Sequence, residues 1–520
     1  MRTRRWFLRS LLISCLLSVV LACASAPAPA RSDIPAFRFR GFGDRSSSLY
    51  LSLQAAEQID DLFSRLALYN RVAEAYSLAG YWEESLAVLE HLERTAEALG
   101  SAEARADIKI EMARRYIAND EIETANDLLE SALRLAGELN SDWNRGVIIE
   151  RVIDASFEAG EDSFAVLQSA VNRTLVIDDL WTRVSILTNT ARRYQRAGLG
   201  QSVNAMVQQA LPAAGSLENP WQRALAFTEI ALISRSGGGG ERNAGSNVRR
   251  AIAELEAVEV LALSEDDARL LLRVASNLSE LERHDEAVAA LRQIPFNHLH
   301  ARGLADVGSA YARQGSRSSA FVLFSQAVRE GEQSADAFRR AEVYAEVARR
   351  YLEIGEGQLA ALNADFARTT AAELEDEYQK AAVFEQIIRV YIAESEIELV
   401  SELGEQLSDP FLRAGMLIAI AQQLYTANLR AEAVDTLERA LAAAEESEFL
   451  RDTLLRRVAT AFGEMEQLER GFEIVEQLES AHDIARALAD LGAIAAGSRD
   501  GRLPRDTESL RRIEARISEL

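Results

Sequence analysis

The feature that most constrains this chain is self-similarity at a spacing near 40 residues, the mark of a stacked-repeat architecture. The stretch "VAEAYSLAGYWEESLAVL" (Val72–Leu89) superposes without a gap on "MARRYIANDEIETANDLL" (Met112–Leu129). A large residue late in the first half of each copy serves as a marker. It falls at Tyr76, Tyr116, Ser156, Tyr194, Ser234, Leu278, Tyr311, Tyr351, Tyr391, Leu424 and Phe462, with a degenerate twelfth copy over Ile484–Ser498. Before each marker, apolar and small residues recur at helical spacing, as in Tyr69, Val72, Ala73 and Tyr76 or Tyr344, Val347, Ala348 and Tyr351. Such i, i+3, i+4, i+7 patterning is one face of a helix. Four residues after the marker a breaker often stands: Gly80, Gly160, Gly198, Gly238, Gly315, Gly355 or Asn428. Glycine there supplies a left-handed helix end. Nine after it comes a small residue, Ser85, Ala125, Ala165, Ala287, Ala320, Ala360, Ala433 or Gly471, which opens the packing face of a second helix.

The order large, apolar, small, Tyr, Gly, Ala resembles the tetratricopeptide repeat. Leu304, Val307, Gly308, Tyr311, Gly315, Ala320, Phe324 and Ala327 follow its pattern position by position. The resemblance covers roughly residues 63–500 and implies an all-α fold. That fold is an α-solenoid of about 12 antiparallel helix-pair repeats, wound as a right-handed superhelix. Two departures stand out. The spacing is mostly 38–40 rather than 34, so helices or junctions are about one turn longer, and the proline that closes each repeat is mostly missing. Such repeats bury their core only by stacking, so one array is expected rather than several domains.

The longer copies carry their own signature, an aromatic residue followed two later by Arg or Lys. It occurs at Phe63/Arg65, Trp143/Arg145, Trp181/Arg183, Trp221/Arg223, Phe338/Arg340, Tyr378/Lys380, Phe411/Arg413 and Phe449/Arg451. Its regularity favours a ring packed between successive repeats over a ligand-binding row. Asp142, Asn219 and Asp409 are expected to cap the helices that follow, with Pro220 and Pro410 at the first helical position. Pro212, Pro220, Pro295, Pro410 and Pro504 are all expected at junctions between helices, and "RSGGGGERNAGSN" (Arg235–Asn247) as a flexible interruption.

The N-terminus reads as an export signal over residues 1–22: Arg2, Arg4, Arg5 and Arg9 precede a short apolar run. Val20-Leu21-Ala22-Cys23 resembles the lipobox of bacterial lipoproteins, which makes Cys23 the expected lipidation site. The resemblance implies an outer-membrane protein facing the periplasm, with the cell membrane or free periplasm as other destinations. Ordinary cleavage just beyond Cys23 is the competing reading. Thr3–Arg9 is also similar to the twin-arginine export motif, and a plain secretory route stays open beside it. The chain has two cysteines, Cys15 and Cys23, so a mature chain that has shed Cys15 cannot form an internal disulfide. Residues 23–44, rich in Pro and small side chains, read as a flexible tether, 45–500 as the solenoid, and 501–520 as a solvating C-terminal capping helix.

The net charge of −24 disfavours nucleic acid, whose binding depends on clustered cations. Only Lys109 and Lys380 are lysines, so nearly every cation is a forked guanidinium. No HExxH, CxxC, phosphate-binding loop or GxSxG motif occurs, and His298 and His300 are spaced wrongly for shared metal ligation on a helix. An enzyme, a cofactor and a metal site are therefore not expected. In the repeat family the first helices line a groove that takes peptides, and the position two before the marker is expected to face it. Arg114, Arg192, Arg349 and Arg389 stand there as candidate groove-binding residues for acidic segments. Pairing with neighbouring glutamates is the alternative. The Lys/Asn carboxylate clamp of chaperone-binding relatives is not reproduced: Asn70 occupies one of its positions, but Glu74 replaces the partner. The resulting expectation is a membrane-anchored envelope lipoprotein that scaffolds other proteins or peptides; the alternative is a lipoprotein that senses a small ligand or glycan in its groove.

Overall fold

A computed structural model describes Phe37 and residues 42–97, 101–236, 240–257, 263–448, 450–498, 502–505 and 507–520. The export signal, Cys23 and most of the tether lie outside these residues. Regular structure in the described residues is helical, apart from an isolated antiparallel bridge between Ser47 and Arg505.

The helices follow the repeat. After α1 (Ser48–Ala56) come the pairs α2 (Leu62–Leu78) and α3 (Trp82–Glu97), α4 (Ala102–Ala118) and α5 (Ile122–Ala136), and α6 (Asp142–Ala159) and α7 (Phe164–Thr174). Next are α8 (Leu180–Arg196) and α9 (Gly200–Gly215), α10 (Pro220–Ser236) and α11 (Gly240–Glu256), and α12 (Glu265–Glu280) and α13 (His284–Leu291). They continue with α14 (Asn297–Arg313) and α15 (Arg317–Glu332), α16 (Ala337–Glu353) and α17 (Gly357–Ala372), and α18 (Glu377–Ala393) and α19 (Ile397–Glu405). The last are α20 (Pro410–Thr426), α21 (Arg430–Glu446), α22 (Arg451–Glu464), α23 (Leu468–Val475), α24 (Ala481–Ala496) and α25 (Glu508–Ile517). The marker-to-marker spacing is explained by the second helices: α13, α19 and α23 have 8, 9 and 8 residues, whereas α15, α17 and α21 have 16, 16 and 17. The extra turns therefore sit in the second helix of the longer copies.

Most first helices are started by a side chain that accepts from their free N–H groups; α14, after Phe296, and α22, after Leu450, have no such cap. Asp336 and Asp376 each accept two, from Phe338 and Arg339 and from Tyr378 and Gln379. Asn219 and Asp409 cap as expected. Asp142 does not: Ser141 caps α6, and Asp142, one residue inside, holds Arg145 and the backbone N–H groups of Asp178 and Asp179. The left-handed position four after the marker is regular. Gly80, Gly160, Gly198, Gly315, Gly355 and Asn428 adopt positive φ, and so do Asp120, Glu282, Ser395 and Glu466 at the same place.

Several expectations are corrected. The chain divides into two compact units, one of the described residues up to Thr182 with Gln467–Leu520, the other of Arg183–Glu466. Pro212 lies inside the last turn of α9. Gly240–Asn247 is helical, because Ala244, Val248, Ala251 and Leu255 give α11 an apolar face. Ala165 is exposed, because a 3-10 turn at Gly160–Ser163 shifts the start of α7 and buries Ser163 instead. The segment expected as a tether is packed where it is described. Phe37 and Phe42 are buried; Phe37 meets Tyr69 and His91, and Tyr76 donates to Asp44 at 2.8 Å.

In the first unit the two ends of the chain meet. α24 has no following second helix of its own, and α1 lies antiparallel along it in that place. Ser52 Oγ donates to the Ala485 carbonyl at 2.7 Å, as Ser85 Oγ of α3 donates to Ala73 of α2 at 2.8 Å. Leu49 fills the space above Gly492 as Phe324 fills that above Gly308. The twelfth repeat is thus a composite of both termini. The C-terminal helix α25 is not wholly solvated: Leu510, Ile513 and Ile517 are buried, and it packs on α1 and α23.

Candidate interaction face

Most first helices carry a charged residue two or five positions before the marker, and many of these form ion pairs within a repeat or from one repeat to the next. In the first unit Asp490 pairs with Arg71 at 3.2 Å, Arg71 with Glu74 at 3.1 Å, Glu74 with Arg115 at 3.5 Å and Arg115 with Glu111 at 3.6 Å. Glu111 also takes Arg114 at 2.9 Å and Arg151 at 2.8 Å, and Arg151 reaches Asp107. Asn70 donates to the same Glu111 at 3.4 Å. In the second unit Glu229 lies between Arg192 and Arg273, at 3.6 and 2.6 Å, and Glu346 joins Arg349 and Arg350 at 2.6 and 2.8 Å.

Burial pushes the Glu111 carboxyl up, but Arg114, Arg151 and Arg115 together bring it below its ordinary value. Asp107 goes the other way. Burial lifts it to about 6, with Glu103 and Glu111 adding to the rise and Arg151 opposing it. Glu346 repeats the first case, its burial outweighed by Arg349 and Arg350. A half-buried guanidinium held by two carboxylates is a structural tie.

The four candidate arginines accordingly fall into two kinds. Arg114 pairs with Glu111 and Glu158, Arg349 with Glu346 and Glu353, and Arg192 with Asn189 and Glu229. Arg389 is exposed and has no hydrogen bond or ion pair among the described residues. The cause is legible three residues earlier: Glu111 and Glu346 stand there in the paired copies, whereas Gln386 stands there before Arg389 and gives its amide to the Ala382 carbonyl at 3.3 Å. Arg457, five before its marker, is a second such cation that the search of one position missed.

The aromatic–Arg signature proves to be about the cation. Trp221 is buried, but Trp143 and Tyr378 are each 64% exposed, so ring packing between repeats is not general. In four copies the arginine instead donates to the carbonyl six residues earlier, in the connector before its helix, whereas Lys380 and Arg413 hold Glu377 and Glu446. Arg65 reaches Ile59 at 3.0 Å, Arg145 Leu139 at 2.8 Å, Arg223 Leu217 at 2.6 Å and Arg340 Ser334 at 2.8 Å.

Apolar side chains also reach the surface in the second unit. Leu359, Leu362 and Phe366 share one face of α17 and remain 36, 49 and 46% exposed; Val322 holds the position on α15 equivalent to Leu362. Between α13 and α15 lies an open cavity of about 570 Å³, bordered by Asp285, Arg292, Tyr311, Val322 and Gln326. Among the described residues no His, Cys, Asp or Glu cluster is placed to hold a metal ion, and no helix is long and apolar enough to cross a membrane.

No protein-family model matches the sequence, and comparison with curated proteins finds no match. Among solved structures, Ton1535 from Thermococcus onnurineus NA1 is 16% identical over 66% of this chain and 95% of its own, with a TM-score of 0.24. A signal-transduction ATPase with a tetratricopeptide repeat sensor, PH0952 from Pyrococcus horikoshii, is 12% identical over 83% and 70%, at 0.25. A Rap protein complexed with competence and sporulation factor is 12% identical over 75% and 99%, at 0.24. Scores this low establish no shared fold; the helical-repeat architecture rests on the helix pairs themselves.

Proposed function

We propose that this chain is a protein-interaction scaffold of the bacterial envelope, exported and held to a membrane by lipid on Cys23, with the outer membrane facing the periplasm as its destination. The observation that carries the scaffold reading is the exposed stripe on α17. Leu359, Leu362 and Phe366 sit at i, i+3 and i+7 on one helix face, where apolar side chains gain most by being covered. Exposed apolar patches rimmed by polar residues mark protein–protein or membrane contacts and ligand grooves. The leader supports the anchoring part of the reading, since a single mature cysteine at a lipobox position is explained by acylation.

The test is crosslinking in cells, followed by mass spectrometry of what accompanies the tagged protein. One dominant envelope partner, lost in Leu362→Ser/Phe366→Ser, supports the scaffold. Recovery of that partner unchanged from the variant refutes a role for the stripe. Cys23→Ser is expected to release the protein from membranes; a variant that still pellets after a high-salt wash overturns the lipid anchor. A small-ligand or glycan carrier is the second reading, favoured by the cavity between α13 and α15. It predicts ligand-dependent thermal stabilisation with no stoichiometric protein partner.

A further inference from the structure

On the face of the ion-pair ladder, arginines occupy two places in the first helices. Five before the marker stand Arg71, Arg151, Arg273 and Arg457; two before it stand Arg114, Arg192, Arg349 and Arg389. Six of them hold a carboxylate. Arg389 and Arg457 do not, and both are exposed.

These two are neighbours across one helix. Arg457 projects from α22 over α20, where a Cβ added to Gly415 would lie 3.7 Å from its Nη1. It comes within electrostatic range of Glu385 on α18. Arg389 lies one helical turn beyond Glu385, on the same side of α18. The ladder positions of α20 between them are Gly415, Ala419 and Gln422, none charged, and the Gln422 amide is occupied by Glu464 at 3.0 Å. The acid-and-base pattern of the ladder is therefore interrupted here by two free guanidinium groups over a small, neutral floor. Desolvation and then Arg456 press the Arg457 guanidinium down from its usual value, opposed by Glu385. An arginine stays charged regardless, and neither guanidinium has a carboxylate within ion-pair distance among the described residues.

We propose that Arg389 and Arg457 form a binding site for an extended acidic peptide segment of a partner protein, one carboxylate to each guanidinium, with the backbone passing over Gly415 and Ala419. This deepens the scaffold reading and rests on it. The chain's charge of −24, with Glu385 facing Arg457 and Glu464 on the Gln422 amide, disfavours an anionic membrane or a nucleic acid, which need rows of cations. Two isolated cations suit two carboxylates. First helices two repeats apart lie roughly 16–20 Å apart if each packed pair is separated by 8–10 Å. The backward reach of Arg457 shortens this to about 10–13 Å, roughly four residues of extended chain at ~3.3 Å each.

The test uses the full chain and a fluorescein-labelled Gly/Ser peptide with two glutamates four residues apart, beside its glutamine counterpart, read by anisotropy at low salt. The glutamate peptide is expected to bind at least tenfold more tightly than the glutamine one. Arg389→Ala and Arg457→Ala should each lose at least fivefold, with melting temperatures near that of the parent. Arg317→Ala, on the exposed part of α15, should lose nothing. Equal affinity for the two peptides, or unchanged affinity in both variants, overturns the site. So does arginine-dependent binding to phosphatidylserine vesicles with no peptide binding. An envelope partner captured equally by the parent and both variants removes this site and leaves the scaffold reading standing.

Discussion

Leu49, at the start of the first described helix, lies so closely against Gly492 in the composite twelfth repeat that a Cβ at 492 would collide with Leu49 Cδ2. The contact joins the two ends of the chain. Gly492→Ala should therefore cost about 1–3 kcal/mol, the usual range for overpacking a filled core. Chemical denaturation of the first unit should show it, and Leu49→Ala in the same chain should recover part of the loss. A Gly492→Ala protein as stable as the parent refutes the composite repeat.

His91 is the sharpest acid-sensitive point near that junction. Burial, then Arg94 and Arg65, lower its imidazole to about 4, while Phe37 and Tyr69 enclose the ring. Its unfolded value is ordinary, so the unfolded chain binds the proton first. The stability that the neutral ring contributes is present above about pH 6.5 and is lost progressively as pH falls towards 4, by up to about 3 kcal/mol. His91→Gln should flatten stability against pH within this window. An unchanged slope contradicts the buried neutral ring.

Arg340 should matter more than an exposed aromatic residue of the same signature, Tyr378. Its guanidinium holds the Ser334 carbonyl at 2.8 Å and that of Ala335 at 3.2 Å, in the connector between α15 and α16. Arg340→Ala is expected to cost about 1–3 kcal/mol, as for hydrogen bonds to charged groups. Tyr378, 64% exposed at the aromatic position of the next repeat, should cost within about 0.5 kcal/mol on replacement by Ala. Urea midpoints of the two variants decide the order.

Ser395 adopts φ +63 where other repeats place glycine. A left-handed conformation costs an L-residue roughly 1–2 kcal/mol, part of which glycine returns as unfolded-state entropy. Ser395→Gly should raise stability by about 0.5–1 kcal/mol, and Gly355→Ser should lower it by a similar amount. Opposite signs would mean that the serine side chain stabilises the turn.

The helix pairs, their order and their turns were legible because each depends on residues close in sequence. Tyr344, Val347, Ala348 and Tyr351 declare a helix face by spacing alone, and Gly315 and Gly355 declare its end. Asp120, Glu282, Ser395 and Glu466 make the same turn with no glycine to announce it. There the chain follows the packing of its two helices against local preference. Gln386, standing where Glu111 and Glu346 stand in other copies, was visible in the sequence too, but its meaning was not. Only the side-chain geometry shows that glutamates three residues before Arg114 and Arg349 occupy those arginines.

The sequence by itself determined the repeat, the helix register and the acidic surface, since these follow from hydrophobic period, turn chemistry and charge. The tertiary structure alone decided which helix completes the twelfth repeat and which arginines stay free. The first is settled by contacts between residues far apart along the chain, such as Ser52 with Ala485, and the second by such contacts, as of Arg71 with Asp490 and Arg457 over Gly415, together with near pairs such as Glu346 with Arg349. Local spacing carries no record of such partners, because burial and ion pairing are satisfied by whatever surface the folded backbone brings within reach.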